Sequence, residues 1–307
     1  MRSDARSAER TRARTALMLR AAAVAAWLAV GVGALWGDSA HSGLLPDGGA
    51  ARTTVIVALW LAYVVVLAAL LLPGARALTV ARIGVPAGAV ELAITLASLN
   101  AGTAEASVVV GLVAAACGTG ILLQPACAEA HVDAASYGDE RRFLLRPPAP
   151  VLVALVVPMW AVAVAGVTVG PLLLADRGWA AGIAAAAVGL PVAALAAHSL
   201  FRLARRWLVF VPNGLVFHDH LAVAEPLPVG RRGIVSIGPA PADTAATDLT
   251  AQAFGMALEL RLAEPVTVSV MTGRNRSEQR SLTALLMSPS RPAAVLATAE
   301  RRGIKLG

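Results

Sequence analysis

Glu91 stands inside a run of apolar residues, and a carboxyl placed there is costly unless it is protonated or paired. Such a group can relay a proton or hold a transported substrate. The plainer reading is a structural hydrogen bond to Thr95, Gln124 or His198, or a carboxyl kept neutral by its surroundings. Gln124 and His198 fall near the ends of apolar runs, where polar side chains reach the interface unaided. Cys127 and His131 are four apart, which on a helix places them on one face, but only Glu129 and Asp133 stand near enough to extend a metal-ligand set. His218-Asp219-His220 offers two imidazoles on one face of a strand with no Cys and no third His, and reads equally well as the end of a hairpin. His131, Asp133, Asp139 and Glu140 form the one polar cluster that a lipid-modifying enzyme would use, and their spacing matches no reaction scheme.

The sequence holds no GxSxG, no HExxH, no paired CxxC and no dinucleotide fingerprint. All basic residues but Lys305 are arginine, so lysine-dependent phosphate loops, Schiff bases and kinase sites would have to draw on a residue beside the carboxy terminus. No catalytic residue, metal or cofactor is expected. The net charge of +7 comes from 26 basic and 19 acidic residues; the residues after Arg206 are nearly balanced, which argues against nucleic acid.

What positions these groups is a strongly apolar chain. Of its 307 residues 57% are hydrophobic and 15% charged, well below the quarter usual in soluble domains, and the mean hydropathy is +0.70. Six segments approach the ~20 apolar residues a spanning helix needs: 17–36, 53–72, 83–99, 106–124, 151–175 and 179–201. The third is the weakest, being short and carrying Gly84, Pro86, Gly88 and Glu91. Gly84 and Gly88, like Gly166 and Gly170, have the small-xxx-small spacing that lets helices pack closely. With the amino terminus inside, fourteen arginines fall on inner segments and only Arg52 and Arg177 on outer ones, alternating at every loop. The length of the first apolar run and the nearby Asp38 favour an uncleaved anchor over a signal peptide. Trp36 and Trp179 fall at the expected outer interface. Cys117 and Cys127, ten apart, are too distant to pair on a helix.

After Arg206 the pattern becomes strand-like over 207–211, 215–218, 221–229, 233–238, 256–263, 266–272 and 282–287, with Pro212-Asn213-Gly214 as a turn, Glu264-Pro265 as a tight connection and 239–252 as a long loop. A closing helix starts near Ser290 and Pro292 and stops at Gly303. The connection 129–150 reads as a charged, solvated loop that could also dock on the carboxy-terminal region.

This order, opening on Trp207-Leu208-Val209-Phe210-Val211-Pro212-Asn213-Gly214-Leu215, resembles the bacterial pleckstrin-homology-like fold over about 205–307. The whole chain resembles uncharacterised multi-pass membrane proteins of high-GC Gram-positive bacteria, a likeness that implies no activity. Lipid-binding members of the fold grip phosphates with basic residues in the first hairpin loop. That loop holds none here, and the nearest pair, Arg231 and Arg232, lies in a later turn, a candidate surface contact. The resemblance therefore implies protein or membrane-surface contact without phosphoinositide recognition.

The expected architecture is an all-α membrane bundle of six transmembrane helices followed by a small cytoplasmic β-rich, PH-like domain with a carboxy-terminal helix. Its parts are a basic tail (1–16), the helical domain (17–201) and the β-rich domain (202–307), in the cell membrane with both termini cytoplasmic. The expected role is non-enzymatic, with the lipid bilayer and a protein reached through 202–307 as partners. The alternatives are a small transporter or channel using Glu91, with three plus three inverted spans, and a membrane enzyme acting on lipid.

Overall fold

The computed structural model describes residues 2–36, 49–98, 106–148, 152–273 and 276–307. Asp38, Leu99, Val151 and the end of the 129–150 connection fall outside the described residues, and the side chain of Trp36 is likewise not described. The chain divides into two compact units, one made of 12–131 with 156–201 and the other of 1–11, 132–155 and 202–307.

The first unit is helical: α1 (Arg2–Trp36), α2 (Gly49–Leu71), α3 (Ala75–Ser98), α4 (Ala106–Leu123), α5 (Pro125–Asp133), α6 (Val157–Ala175, preceded by a π turn, Leu152–Val156) and α7 (Trp179–Leu203). Among the described residues six of these, all but α5, are long and apolar enough to cross a membrane. In α6 and α7 the packing is inverted relative to a soluble core. Gly170, Gly182, Ala163, Ala193 and Ala196 are buried, whereas Val157, Ile183, Val188 and Leu195 are each more than 60% exposed. Small residues let helix backbones approach where no hydrophobic force drives them together. At the α6–α7 crossing a Cβ on Gly170 would lie 2.8 Å from the Ala186 Cα, and one on Gly189 2.8 Å from the Gly166 carbonyl oxygen. The Gly84–Gly88 pair serves packing differently, making room for the side chains of Val66 and Trp27. The Trp27 indole stacks on Tyr63 at 5.3 Å and donates to its carbonyl at 3.0 Å.

The third apolar segment is longer than the sequence indicates. It runs unbroken from Ala75 through Pro86 to Ser98, because the arginine that marks its expected edge finds a partner: Arg82 Nε donates to the Leu122 carbonyl at the end of α4 (3.0 Å). Arg20 does the same for α2, donating to Leu71 at 3.1 Å. The last carbonyls of a helix have no intrahelical donor and carry its negative end, so a guanidinium from a neighbouring helix satisfies both needs.

The second unit is two four-stranded sheets and a helix. One sheet has the order β1 (Arg141–Leu144), β2 (Trp207–Val211), β3 (Gly214–His218), β4 (Leu227–Gly230), all antiparallel. The other has the order β5 (Ile234–Pro239), β7 (Leu258–Gly273), β8 (Arg276–Met287), β6 (Thr247–Asp248), with β6 parallel to β8. The inner faces contribute Phe143, Leu208, Phe210, Phe217, Ile237, Leu260 and Leu285, closed over by Val295 and Ala299 of α8 (Pro292–Arg301). Pro292 starts α8, but Arg291 takes the cap position without a side-chain cap bond. Gly303, at φ 69°, ends the helix where an L side chain would be strained.

Three expectations are corrected here. The 129–150 connection carries regular structure: the end of α5 and all of β1 lie within it, and β1 is the edge strand of the first sheet, so residues 132–155 belong with the β-rich unit and not with 17–201. Residues 221–229 are mostly turn, with only Leu227–Gly230 as strand. Residues 256–263 and 266–272 form one strand, β7, whose pairing with β8 shifts register between Arg261 and Val266. Pro265, which has no N–H, sits in that irregularity, and the strand bends through it without turning back.

Candidate functional site

The structure draws the chemistry-bearing residues of the β-rich unit to one corner. Arg206 and Asp219 are 1% exposed and form a two-pronged ion pair, Nε to Oδ1 at 2.7 Å and Nη2 to Oδ2 at 2.6 Å. The remaining guanidinium nitrogen, Nη1, donates to the Arg146 carbonyl at 2.8 Å. One buried arginine thus ties the start of β2 to the end of β3 and to the residue two beyond β1. Burying both charges is tolerable because nearly every polar atom has a partner. Arg146 in turn donates from its backbone to Ser288 (2.8 Å) and from Nη1 to the Phe254 carbonyl (2.9 Å).

The surroundings of the two histidines beside Asp219 disfavour their charged forms. Burial, then the nearby Arg202, pushes His220 down to about 4, and burial with Arg205 lowers His218. His218 stacks on Trp207 at 5.7 Å, and the Arg142 guanidinium lies 5.5 Å from the same indole. Asp219 is engaged by Arg206, which leaves the two imidazoles without a carboxylate ligand. Among the described residues no three of His, Cys, Asp and Glu group as a metal would need.

Cys127 and His131 do come together, Sγ to Nδ1 at 4.0 Å, both fully buried. The His131 Nδ1–H donates to the Cys127 carbonyl at 3.1 Å. Burial raises the thiol and lowers the imidazole, which disfavours the thiolate–imidazolium form that nucleophilic attack needs.

The His131–Glu140 cluster is not assembled. Asp133 accepts from the Arg142 backbone (3.0 Å) and pairs with Arg141 (2.7 Å), and Glu140 pairs with Arg142 (3.1 Å), so these acids hold the approach to β1. They border an open cleft with Pro212, Thr298 and Arg302, in which the Arg302 guanidinium donates to the Asp139 carbonyl.

Glu91 is half-buried on α3 and accepts from the buried Thr95, one turn on, at 3.3 Å. Gln124 is exposed between α4 and α5, and His198 is exposed on α7, its ring 6.3 Å from Phe201. Neither is bonded to Glu91 by any described contact. Arg231 and Arg232 are exposed in a single 3₁₀ turn (Arg231–Gly233). The Arg231 backbone donates to Asn213 at 2.7 Å, which sets this basic turn against the first hairpin turn despite the intervening sequence.

Sequence reasoning named Arg206 and Asp219 without pairing them and passed over the contact of Arg146 with Phe254. The signal for the ion pair was a charged residue immediately before a strand and an acid immediately after its partner. No family model, curated protein or solved structure matches the chain.

Proposed function

We propose that the protein is a multi-pass resident of the cell membrane with both termini in the cytoplasm, and that it presents a PH-like domain for contact with the membrane surface or a protein partner, without enzymatic activity. The observation that carries this is the pairing of β1 with β2 around two apolar helices. Strands that share a ladder lie side by side, so the chain that leaves at Leu145 and returns at Arg206 crosses the bilayer an even number of times. α6 and α7 supply the two crossings, and the arginines 141, 142, 146, 202, 205 and 206 then flank them on one side, as positive-inside orientation requires. Four strands, three more, one short parallel strand and a closing helix support the PH-like reading. The engagement of Asp133, Glu140, Asp219, Cys127 and His131 in structural contacts supports a non-enzymatic role.

Single cysteines introduced in a Cys117→Ser background test the arrangement with a membrane-impermeant maleimide. Tyr137→Cys and Asn213→Cys should label only after permeabilisation, and Arg177→Cys in intact cells. Labelling of positions 137 or 213 from outside overturns the reading.

A further inference from the structure

The loop between β6 and β7 is firmly built yet leaves its largest side chains in the open. Thr250 donates its backbone N–H to Asp248 Oδ1 at 2.7 Å, and Ala253 bonds back to Thr250 at 3.2 Å. Ala251, Gln252 and Gly255 all take positive φ, at 54°, 62° and 99°. Gly255 has a second reason to be glycine, since a Cβ there would meet the Arg146 guanidinium that holds the Phe254 carbonyl. On this pinned loop Phe254 is 79% exposed and Met256 54%. A loop ordered by so many backbone constraints does not expose an aromatic and a methionine by default, and exposed apolar groups set among polar ones mark contact sites.

Chain connectivity bounds how far they stand from the spans. The β-rich unit itself contains the first residues of the fifth apolar segment (152–155) and the last of the sixth (202–203). Arg206 is three residues past Leu203, a reach of at most ~11 Å, and Arg146 is six before Leu152, at most ~22 Å. Those two arginines are bonded to each other's segment and, through Arg146, to Phe254. The exposed Arg202 and Arg205 stand at the same corner. An apolar tip beside arginines at the root of two spans is the composition of an interfacial anchor.

We propose that Phe254 and Met256 insert into the headgroup–acyl boundary of the bilayer, with Arg146, Arg202 and Arg205 at the level of anionic lipid phosphates. The proposal deepens the membrane reading above and rests on it. The wedge fixes the β-rich unit against the leaflet at a third point, in addition to the two covalent connections.

The test uses the full chain with Cys117→Ser, carrying one environment-sensitive fluorophore on Phe254→Cys, Met256→Cys or Asn213→Cys. Asn213 lies at the far end of β2, ~16 Å from Trp207. Each protein is reconstituted in vesicles of equal parts phosphatidylcholine and phosphatidylglycerol doped with acyl-brominated phosphatidylcholine. Quenching at 254 and 256 should exceed that at 213 by about threefold, and the excess should shrink in vesicles of phosphatidylcholine alone. Equal quenching at all three positions overturns the proposal, as does a blue-shifted but unquenched probe at 254, which would mean cover by protein. An excess indifferent to lipid charge removes the arginines from it. Outside labelling of positions 137 or 213 in cells overturns the topology and is read separately, so the two failures are distinguishable.

Discussion

The β-rich unit and the α6–α7 pair are built from much the same aliphatic residues and arrange them in opposite ways. In the β-rich unit the large side chains, Phe210, Phe217, Leu208 and Leu258, are fully buried and most charged residues face outward, Arg206 and Asp219 excepted. In the α6–α7 pair glycine and alanine hold the contacts while Val157, Ile183, Val188 and Leu195 face outward, although elsewhere in the helical unit Leu78, Leu92 and Leu122 are buried. Water expels large apolar surface, so a domain in water puts it inside. Lipid is indifferent to it, and the contacts then go to whichever residues let backbones come closest. The same contrast governs charge. The β-rich unit buries an arginine by giving it an aspartate. The helical unit places Arg20 and Arg82 on the carbonyl ends of neighbouring helices.

The largest effect expected from breaking this contrast is at the buried ion pair. Asp219→Ala leaves Arg206 buried without its partner and should cost ~3–5 kcal/mol, whereas the paired change Arg206→Met with Asp219→Leu should cost less. Hydrogen exchange of the β2 and β3 amides in the full chain measures both. Next is the α6–α7 crossing: Gly170→Leu places a side chain where Ala186 backbone stands and should destabilise by ~1–3 kcal/mol, read as a lowered midpoint of the helical signal in detergent.

A smaller effect follows from His220. Its folded value lies near 4 and its ordinary value near 6.5, so the unfolded chain binds the proton more readily. Stability contributed by the neutral ring is complete above the ordinary value and is lost as pH falls from about 6.5 towards 4. His220→Gln should flatten that acid limb in the pH dependence of exchange at β3. The smallest effect is expected at Leu195, 68% exposed on α7: Leu195→Ala should change the stability of the helical unit by no more than ~0.5 kcal/mol, read from its melting midpoint. A loss of several-fold that size would mean that Leu195 faces protein.

The sequence made the helical unit legible because apolar runs near twenty residues and alternating arginines are local signals. It made β2, β3 and α8 legible through the Pro212-Asn213-Gly214 turn and the Pro292 and Gly303 boundaries. β1 was not legible: Arg141-Arg142-Phe143-Leu144 is four residues, half of them charged, and its partner lies beyond two helices. β7 was split in two because Glu264-Pro265 looks like a turn, and only pairing with β8 carries the strand through it. At the corner, the two histidines of His218-Asp219-His220 drew attention to metal binding, while the acid between them, which engages Arg206, was the structural residue.

The placement of β1 also sets a timetable for biogenesis. Leu144 leaves the ribosome about sixty residues before Trp207. At ~5–20 residues per second, the strand waits for seconds, during which, on the membrane reading proposed above, both intervening helices are delivered to the insertion machinery. Its ladder can close only after that pair has gone out and come back, so a nascent chain whose hairpin stalls keeps Phe143 and Leu144 uncovered. That gives quality-control proteases a direct mark of failed insertion.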